Sequence, residues 1–317
     1  MEHVLAIVAP GQGAQTPGFL APWLEDAAVA ARLAELSALV DLDLAHLGTE
    51  ADADTIRDTA VAQPLLVAAG LIAGEALAGG VPFPGVDVLA GHSVGEVTAA
   101  AAAGVLTASD AIVLVRERAN GMAEASALRP TTMAAVVRGD RDEVLAAIEA
   151  VGATAANNNG AGQIVAAGTA EQIAALQENP PAKARVIGLS VAGAFHTEHM
   201  EPGRLRVEAA ASGMTAHDPN TTLLSNADGA AVASGAEYLA RLVSQVTSPV
   251  RWDLCMETMV DLGVTGILEL PPAGTLTGIA KRNMPGVELF TLNTPDQLDE
   301  ARAFCARHAG VRSTEEN

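Results

Sequence analysis

Residues 86–104 read VDVLAGHSVGEVTAAAAAG, and no other stretch limits the fold as much. A short apolar run ends in Gly91, a turn of small residues follows, and helix formers then continue to Gly104. An apolar run without alternation suits a strand buried on both faces, as in a parallel sheet. VLAIVA (4–9), ending in Pro10-Gly11, repeats the theme. Units of this kind predict an α/β fold built on a parallel sheet.

In that setting GHSVGE (91–96) reads as a nucleophile elbow, a sharp turn between strand and helix that presents Ser93. Gly91 and Gly95 flank the serine because larger side chains would collide in so tight a turn. At a helix N-terminus, free N–H groups and the positive end of the helix dipole can stabilise a developing oxyanion. The natural donor is the backbone N–H of Val94. GQGAQ (11–15), directly after the first strand, is a candidate for a second donor, and an ordinary strand-to-helix turn explains it as well. It fits neither the dinucleotide nor the P-loop glycine spacing.

A serine nucleophile needs a base. Of seven histidines, His3 and His308 are terminal, and His46 and His217 lie in polar surroundings. His92 sits on the elbow, where its ring has difficulty turning back to the Ser93 hydroxyl. GAFHTEHM (193–200) holds His196 and His199, and His196 is the preferred base. An esterase orders its triad Ser, Asp/Glu, His. No acidic residue between 93 and 196 stands at an obvious strand end, which points to a serine–histidine dyad. Arg116 and Arg118 lie in LVRERANGM on the next helix, whose N-cap is assigned to Ser109. Residues i and i+2 face different sides of a helix, so only one of the two can point inward. A surface ion pair with Glu117 or Glu124 is the plain alternative to a carboxylate-binding fork.

Residues 129–195 follow another plan. MAAVVRG (133–139), a helix over 141–152, a short strand reaching Asn157-Asn158-Asn159, QIVAAG (163–168), a helix over 170–180 and ARVIGLSVA (184–192) give the order β-α-β-β-α-β of a ferredoxin-like unit. Since α/β alternation resumes afterwards, the chain divides into a discontinuous catalytic domain, 1–128 with 196–317, and an inserted subdomain, 129–195. The tail STEEN reads as disordered.

The chain has 317 residues and a net charge of −20, with Lys183 and Lys281 its only lysines. Such acidity disfavours nucleic acid and anionic membranes as partners. The mean hydropathy is +0.27. The longest apolar stretch, 65–81, is broken by Glu75 and several glycines, and falls short of the ~18–20 residues of a membrane span. The N-terminus reads as a buried strand rather than a leader, so Cys255 and Cys305 are expected as free thiols in the cytoplasm.

PGQGAQ (10–15), GHSVGE (91–96), Arg118 in RERANGM, NNNGAGQIV (157–165), AFH (194–196), SPVRW (248–252) and LTG (276–278) occur together and in order. With these the chain resembles the acyltransferases that carry malonyl groups from coenzyme A to acyl carrier proteins in fatty-acid and polyketide synthesis. The resemblance runs from about residue 4 to 290. It implies an α/β-hydrolase-like large domain with a ferredoxin-like insertion, and a cleft between them. It implies Ser93 as nucleophile and His196 as base and acid, with the amides of Gln12 and Val94 as the oxyanion hole. Arg118 would hold the malonyl carboxylate, Phe195 would go with malonyl rather than methylmalonyl, and His92 would line the pocket. Gln245 would orient His196 through its backbone carbonyl, and Asn159 would support the site. Malonyl-CoA and an acyl carrier protein would be the partners, with no metal or other cofactor, and the protein would be a monomer. Carrier docking would use basic residues such as Arg185, Arg251 and Lys281. Pro272 departs from the glycine usual in that loop. An acyl hydrolase and a non-catalytic carrier-binding module are the alternatives.

Overall fold

The computed structural model describes residues 3–191 and 193–309, so the STEEN tail lies outside the described residues. In chain order the strands are β1 (Leu5–Ala9), β2 (Val88–Gly91), β3 (Thr131–Val137), β4 (Thr154–Asn158) and β5 (Gln163–Thr169). Then follow β6 (Arg185–Gly188), β7 (Thr222–Leu223), β8 (Val250–Arg251), β9 (Gly266–Glu269) and β10 (Glu288–Thr291). They form two sheets.

The larger sheet is parallel throughout, in the order β10-β9-β1-β2-β7. β1 lies at its centre with all five residues buried, which is why VLAIVA shows no polar alternation. β1 and β2 run in register, with Ala9 beside Gly91, so the loops that follow both strands open at the same sheet edge. GQGAQ and GHSVGE are those loops. Helices pack on both faces. The helix Thr59–Ala78 is buried at every residue from Ala62 to Gly74, so its apolar surface faces protein neighbours. Its Glu75 pairs with Arg32 at 3.0 Å.

The smaller sheet has the order β6-β3-β5-β4-β8. β3, β4, β5 and β6 pair antiparallel, and the helices Arg141–Ala150 and Ala170–Glu178 cover them through a core of Val136, Val144, Ile148, Ile164, Ile173 and Leu176. This is the ferredoxin-like arrangement. Its fifth strand is unforeseen: β8, from beyond residue 195, pairs parallel with β4. Two residues between helices are too few to register as a strand in a sequence pattern.

Two local expectations need correction. The helix that carries Arg118 spans Ala108–Ala127 and is capped by Thr107, whose side chain accepts from Asp110 N, so Ser109 lies inside it. Threonine and serine two apart are both good caps, and the chain uses the first. The last strand of the small unit is also shorter than 184–192, ending at Gly188.

Candidate active site

Ser93 has φ 54, the left-handed backbone of an elbow. A Cβ on Gly91 would overlap the backbone of Gly95, and one on Gly95 would overlap the carbonyl of Ala9. The turn therefore admits only glycine at both places. Asn226, fully buried, spans it: Oδ1 accepts from Ser93 N at 2.8 Å and Nδ2 donates to Gly91 O at 2.8 Å. Among the described residues, neither the Val94 nor the Gln12 amide donates to a backbone carbonyl. Both stay free for a ligand oxygen.

His196 also has a positive φ, 61, in a short turn pinned by Thr197 Oγ1 donating to Ala194 O at 2.6 Å. Its Nε2 lies 2.8 Å from Ser93 Oγ and its Nδ1 lies 2.8 Å from the backbone O of Gln245. A carbonyl can only accept, so Nδ1 carries the proton and Nε2 is bare toward the serine. Burial, then the charge of Arg118, pushes the His196 pKa down to about 3, against the Gln245 hydrogen bond. Phe195 is buried beside it. His199 falls in the short 3-10 helix Glu198–Met200, with its backbone N–H on Thr197 Oγ1.

Arg118 is the inward arginine and is 2% exposed. Nη1 donates to Gln63 Oε1 at 2.6 Å, and Nη2 donates to Gln245 Oε1 at 2.8 Å and to Ser93 Oγ at 3.3 Å. Arg116 instead reaches Ala60 O, and Glu117 and Glu124 pair with Arg206. Burial lowers the Arg118 pKa to about 10, against the field of Glu96, so it stays charged at neutral pH.

The remaining expected residues surround this centre. Gln12 accepts from Gln63 Nε2 at 3.3 Å and donates to Thr59 Oγ1 at 3.1 Å. His92 turns away from Ser93: its Nε2 lies 2.9 Å from Asn159 Oδ1 and its ring stands edge-on to Trp252 at 5.7 Å. A cavity of about 350 Å³ runs from Gln12 and Gly13 to Leu189, Ser190 and Val191, between the two sheets' loops. A cavity of about 700 Å³ lies off the dyad, lined by Arg138, Arg141, Asn158, Gly160 and Arg251 among others. Of the suggested docking residues, Arg251 is held by Asp253 at 2.8 Å, while Arg185 and Lys281 are exposed. The loop that carries Pro272 is fastened by the buried carboxylate of Glu269, which accepts from the amides of Gly274, Leu276 and Thr277.

Four residues of the site went unremarked in the sequence: Gln63, Glu96, Asn226 and Tyr238. Gln63 and Glu96 carried a signal, each being a long polar side chain within a buried stretch of helix, Ala62–Gly74 for Gln63 and Gly95–Ala102 for Glu96. Asn226, in a loop after a two-residue strand, and Tyr238, the chain's single tyrosine, carried none that pattern could read.

The fold and this constellation are those of an acyltransferase. The chain belongs to the acyl transferase domain family, whose model matches residues 7–287. It is 52% identical over 298 residues to the malonyl CoA-acyl carrier protein transacylase of Mycobacterium tuberculosis, covering 94% of this chain and 99% of that protein. The enzyme of the same name from Escherichia coli is 30% identical over 307 residues, covering 93% and 98%. The crystal structure of MCAT from Mycobacterium tuberculosis matches with a TM-score of 0.91 at 52% identity, over 95% of this chain and 100% of that one. A malonyl-transacylase solved with a type II polyketide synthase acyl-carrier protein matches with a TM-score of 0.87 at 28% identity, over 95% and 99%.

Proposed function

We propose that the protein transfers a malonyl group from coenzyme A to the phosphopantetheine thiol of an acyl carrier protein, through a malonyl ester on Ser93. One observation carries the reading. A serine hydroxyl, a bare imidazole nitrogen and a buried arginine meet at one point, with Ser93 Oγ 2.8 Å from His196 Nε2 and 3.3 Å from Arg118 Nη2. A nucleophile, its base and a receptor for a free carboxylate are what a malonyl thioester requires.

In the first half-reaction Ser93 Oγ attacks the thioester carbonyl and its proton passes to His196 Nε2. The amides of Val94 and Gln12 hold the oxyanion. The C–S bond breaks, and the coenzyme A sulfur leaves with the proton from His196. In the second, the carrier's thiol gives its proton to His196 and attacks the ester, and Ser93 Oγ leaves with that proton. The Gln245 carbonyl keeps the imidazole turned toward the serine throughout. Arg118 receives the malonyl carboxylate, Phe195 and His92 line the acyl pocket, and Asn159 supports His92. The reading needs no cofactor, the coenzyme A and phosphopantetheine thioesters being substrates. It divides the chain into a catalytic unit, 1–128 with 196–317, and an inserted unit, 129–195, and sets the protein in the cytoplasm as a monomer.

Incubation with radiolabelled malonyl-CoA is expected to label the protein at Ser93 and to lose the label to added carrier protein. Label that persists in Ser93→Ala would sink the reading. Release of free malonate as fast as transfer would favour an acyl hydrolase, and carrier binding without labelling would favour a non-catalytic module. Assays with carriers of fatty-acid and of polyketide type distinguish the two destinations.

A further inference from the structure

Glu96 closes the motif GHSVGE, yet it bonds to neither Ser93 Oγ nor His196. Its side chain is 1% exposed and lies beneath the elbow. Oε1 accepts from Asn226 N at 2.6 Å and from Tyr238 Oη at 3.3 Å, and Oε2 accepts from Gln245 Nε2. The Gln245 amide is engaged at both ends. Its Nε2 also donates to Ser93 O at 3.0 Å, and its Oε1 accepts from Arg118 Nη2 at 2.8 Å. An amide can sit either way round. Turned over, its oxygen would face the Glu96 carboxylate and the Ser93 carbonyl, and its NH₂ would face a guanidinium. Burial pushes the Glu96 pKa up to about 7, against its hydrogen bonds from Asn226, Gln245 and Tyr238 and the charge of Arg118. In its ionised form Glu96 has only acceptors and permits a single orientation of the Gln245 amide.

Arg118 is thereby flanked by two neutral oxygens, Gln63 Oε1 and Gln245 Oε1. They orient the guanidinium without neutralising it, and the carboxylate that balances its charge stands one amide further away. We infer that Glu96 is a positioning residue for acyl-group choice: by fixing the Gln245 amide it aims Arg118 at Ser93 and leaves its charge for the carboxylate end of the acyl group. The inference rests on the malonyl reading above.

Glu96→Gln tests it with little change of size. The Asn226 N–H is a fixed donor, so the one oxygen of the new side chain stays on it, and the new NH₂ turns toward Gln245. Gln245 then meets a donor where it had an acceptor, and its amide turns over or parts from Arg118. The bonds from Ser93 N to Asn226 and from His196 to the Gln245 backbone remain. Initial rates are measured with malonyl-CoA and with acetyl-CoA, which has no carboxylate. The kcat/KM for malonyl-CoA is expected to fall about ten- to a hundredfold, the range of one hydrogen bond to a charged group, mostly through KM, while that for acetyl-CoA falls less than about threefold. Gln245→Met keeps the backbone carbonyl and removes the amide, and should lower the malonyl-to-acetyl ratio likewise. An unchanged ratio in a folded variant, including a parallel fall with both substrates, overturns the inference, because a purely structural role would slow both alike. Should Glu96→Gln fail to fold, the ratio in Gln245→Met decides in the same way. Failure of the unaltered protein to take up malonyl would instead remove the functional reading itself.

Discussion

Replacing Arg118 by alanine probes the centre of the site with a control built into the assay. The guanidinium lies 3.3 Å from the serine oxygen that would carry the acyl group. The carboxylate of a malonyl ester extends two carbons beyond the ester carbonyl, which brings it into contact range of Nη2. Two unit charges ~4 Å apart interact by ~4 kcal/mol at an effective dielectric of ~20. Truncating one partner of a buried hydrogen-bonded charge pair costs about 2–5 kcal/mol. The malonyl-to-acetyl ratio of kcat/KM should therefore fall by roughly 30-fold to a few thousandfold. Acetyl-CoA reports on the dyad: the Ser93–His196 and His196–Gln245 carbonyl contacts remain, Ser93 Oγ loses only its 3.3 Å bond from Arg118 Nη2, and loss of the nearby cation removes a force that weakens His196 as a base. The change also strands Gln63 Oε1 and Gln245 Oε1, at about 1–3 kcal/mol for each buried oxygen left unpaired, so rates must be normalised to folded protein. A ratio within twofold of the unaltered protein would refute the assignment of Arg118 as the carboxylate receptor, whatever happened to the absolute rates.

Two further outcomes follow from the geometry. His196 must be neutral to accept a proton, and burial with the Arg118 charge lowers its pKa to about 3, so the acid limb of kcat/KM for acetyl-CoA, which does not draw on Arg118 or Glu96, should lie well below the ordinary histidine value near 6.5; an acetyl-CoA profile with its limb at 6.5 would show that the imidazole is not held as described. Gly95→Ala puts a Cβ into the Ala9 carbonyl, a rigid backbone neighbour, and should destabilise the protein by about 1–3 kcal/mol or more and abolish Ser93 labelling, measurable by thermal melting and by malonyl uptake; normal labelling and an unshifted melt would show that the elbow is looser than the structure has it.

The division into a parallel-sheet unit and a ferredoxin-like unit was legible because each rests on long, regular signals. The uniformly apolar β1 and the alternating helices of 141–150 and 170–178 are patterns that local sequence cannot hide. Strand β8 was not legible, since two residues acquire strand geometry only from their partner β4. The same contrast holds in the site. Ser93 announced itself through the glycines its turn demands. Which of Arg116 and Arg118 faces inward could not be told from the helix alone, because both faces of Ala108–Ala127 pack on something: Arg118 on Gln63, Arg116 on the Ala60 carbonyl. Asn226 and Tyr238 act at a distance of more than a hundred residues from Ser93 and Glu96, and only the closed fold brings them there.

On the malonyl reading, a backbone carbonyl in place of a triad carboxylate suits the presence of Arg118. Gln245 offers its backbone oxygen to His196 Nδ1 and its side-chain oxygen to Arg118 Nη2, each at 2.8 Å. A carboxylate holding the imidazole from the same place would stand beside the guanidinium, pair with it, and take the charge that the malonyl carboxylate needs. The carbonyl orients the ring without that competition. It also leaves His196 with no anionic partner to strengthen it, so burial and Arg118 hold the base near 3. On the malonyl reading, the receptor for the acyl group and the missing triad carboxylate thus have one physical origin, a buried cation whose neighbours orient it and do not neutralise it.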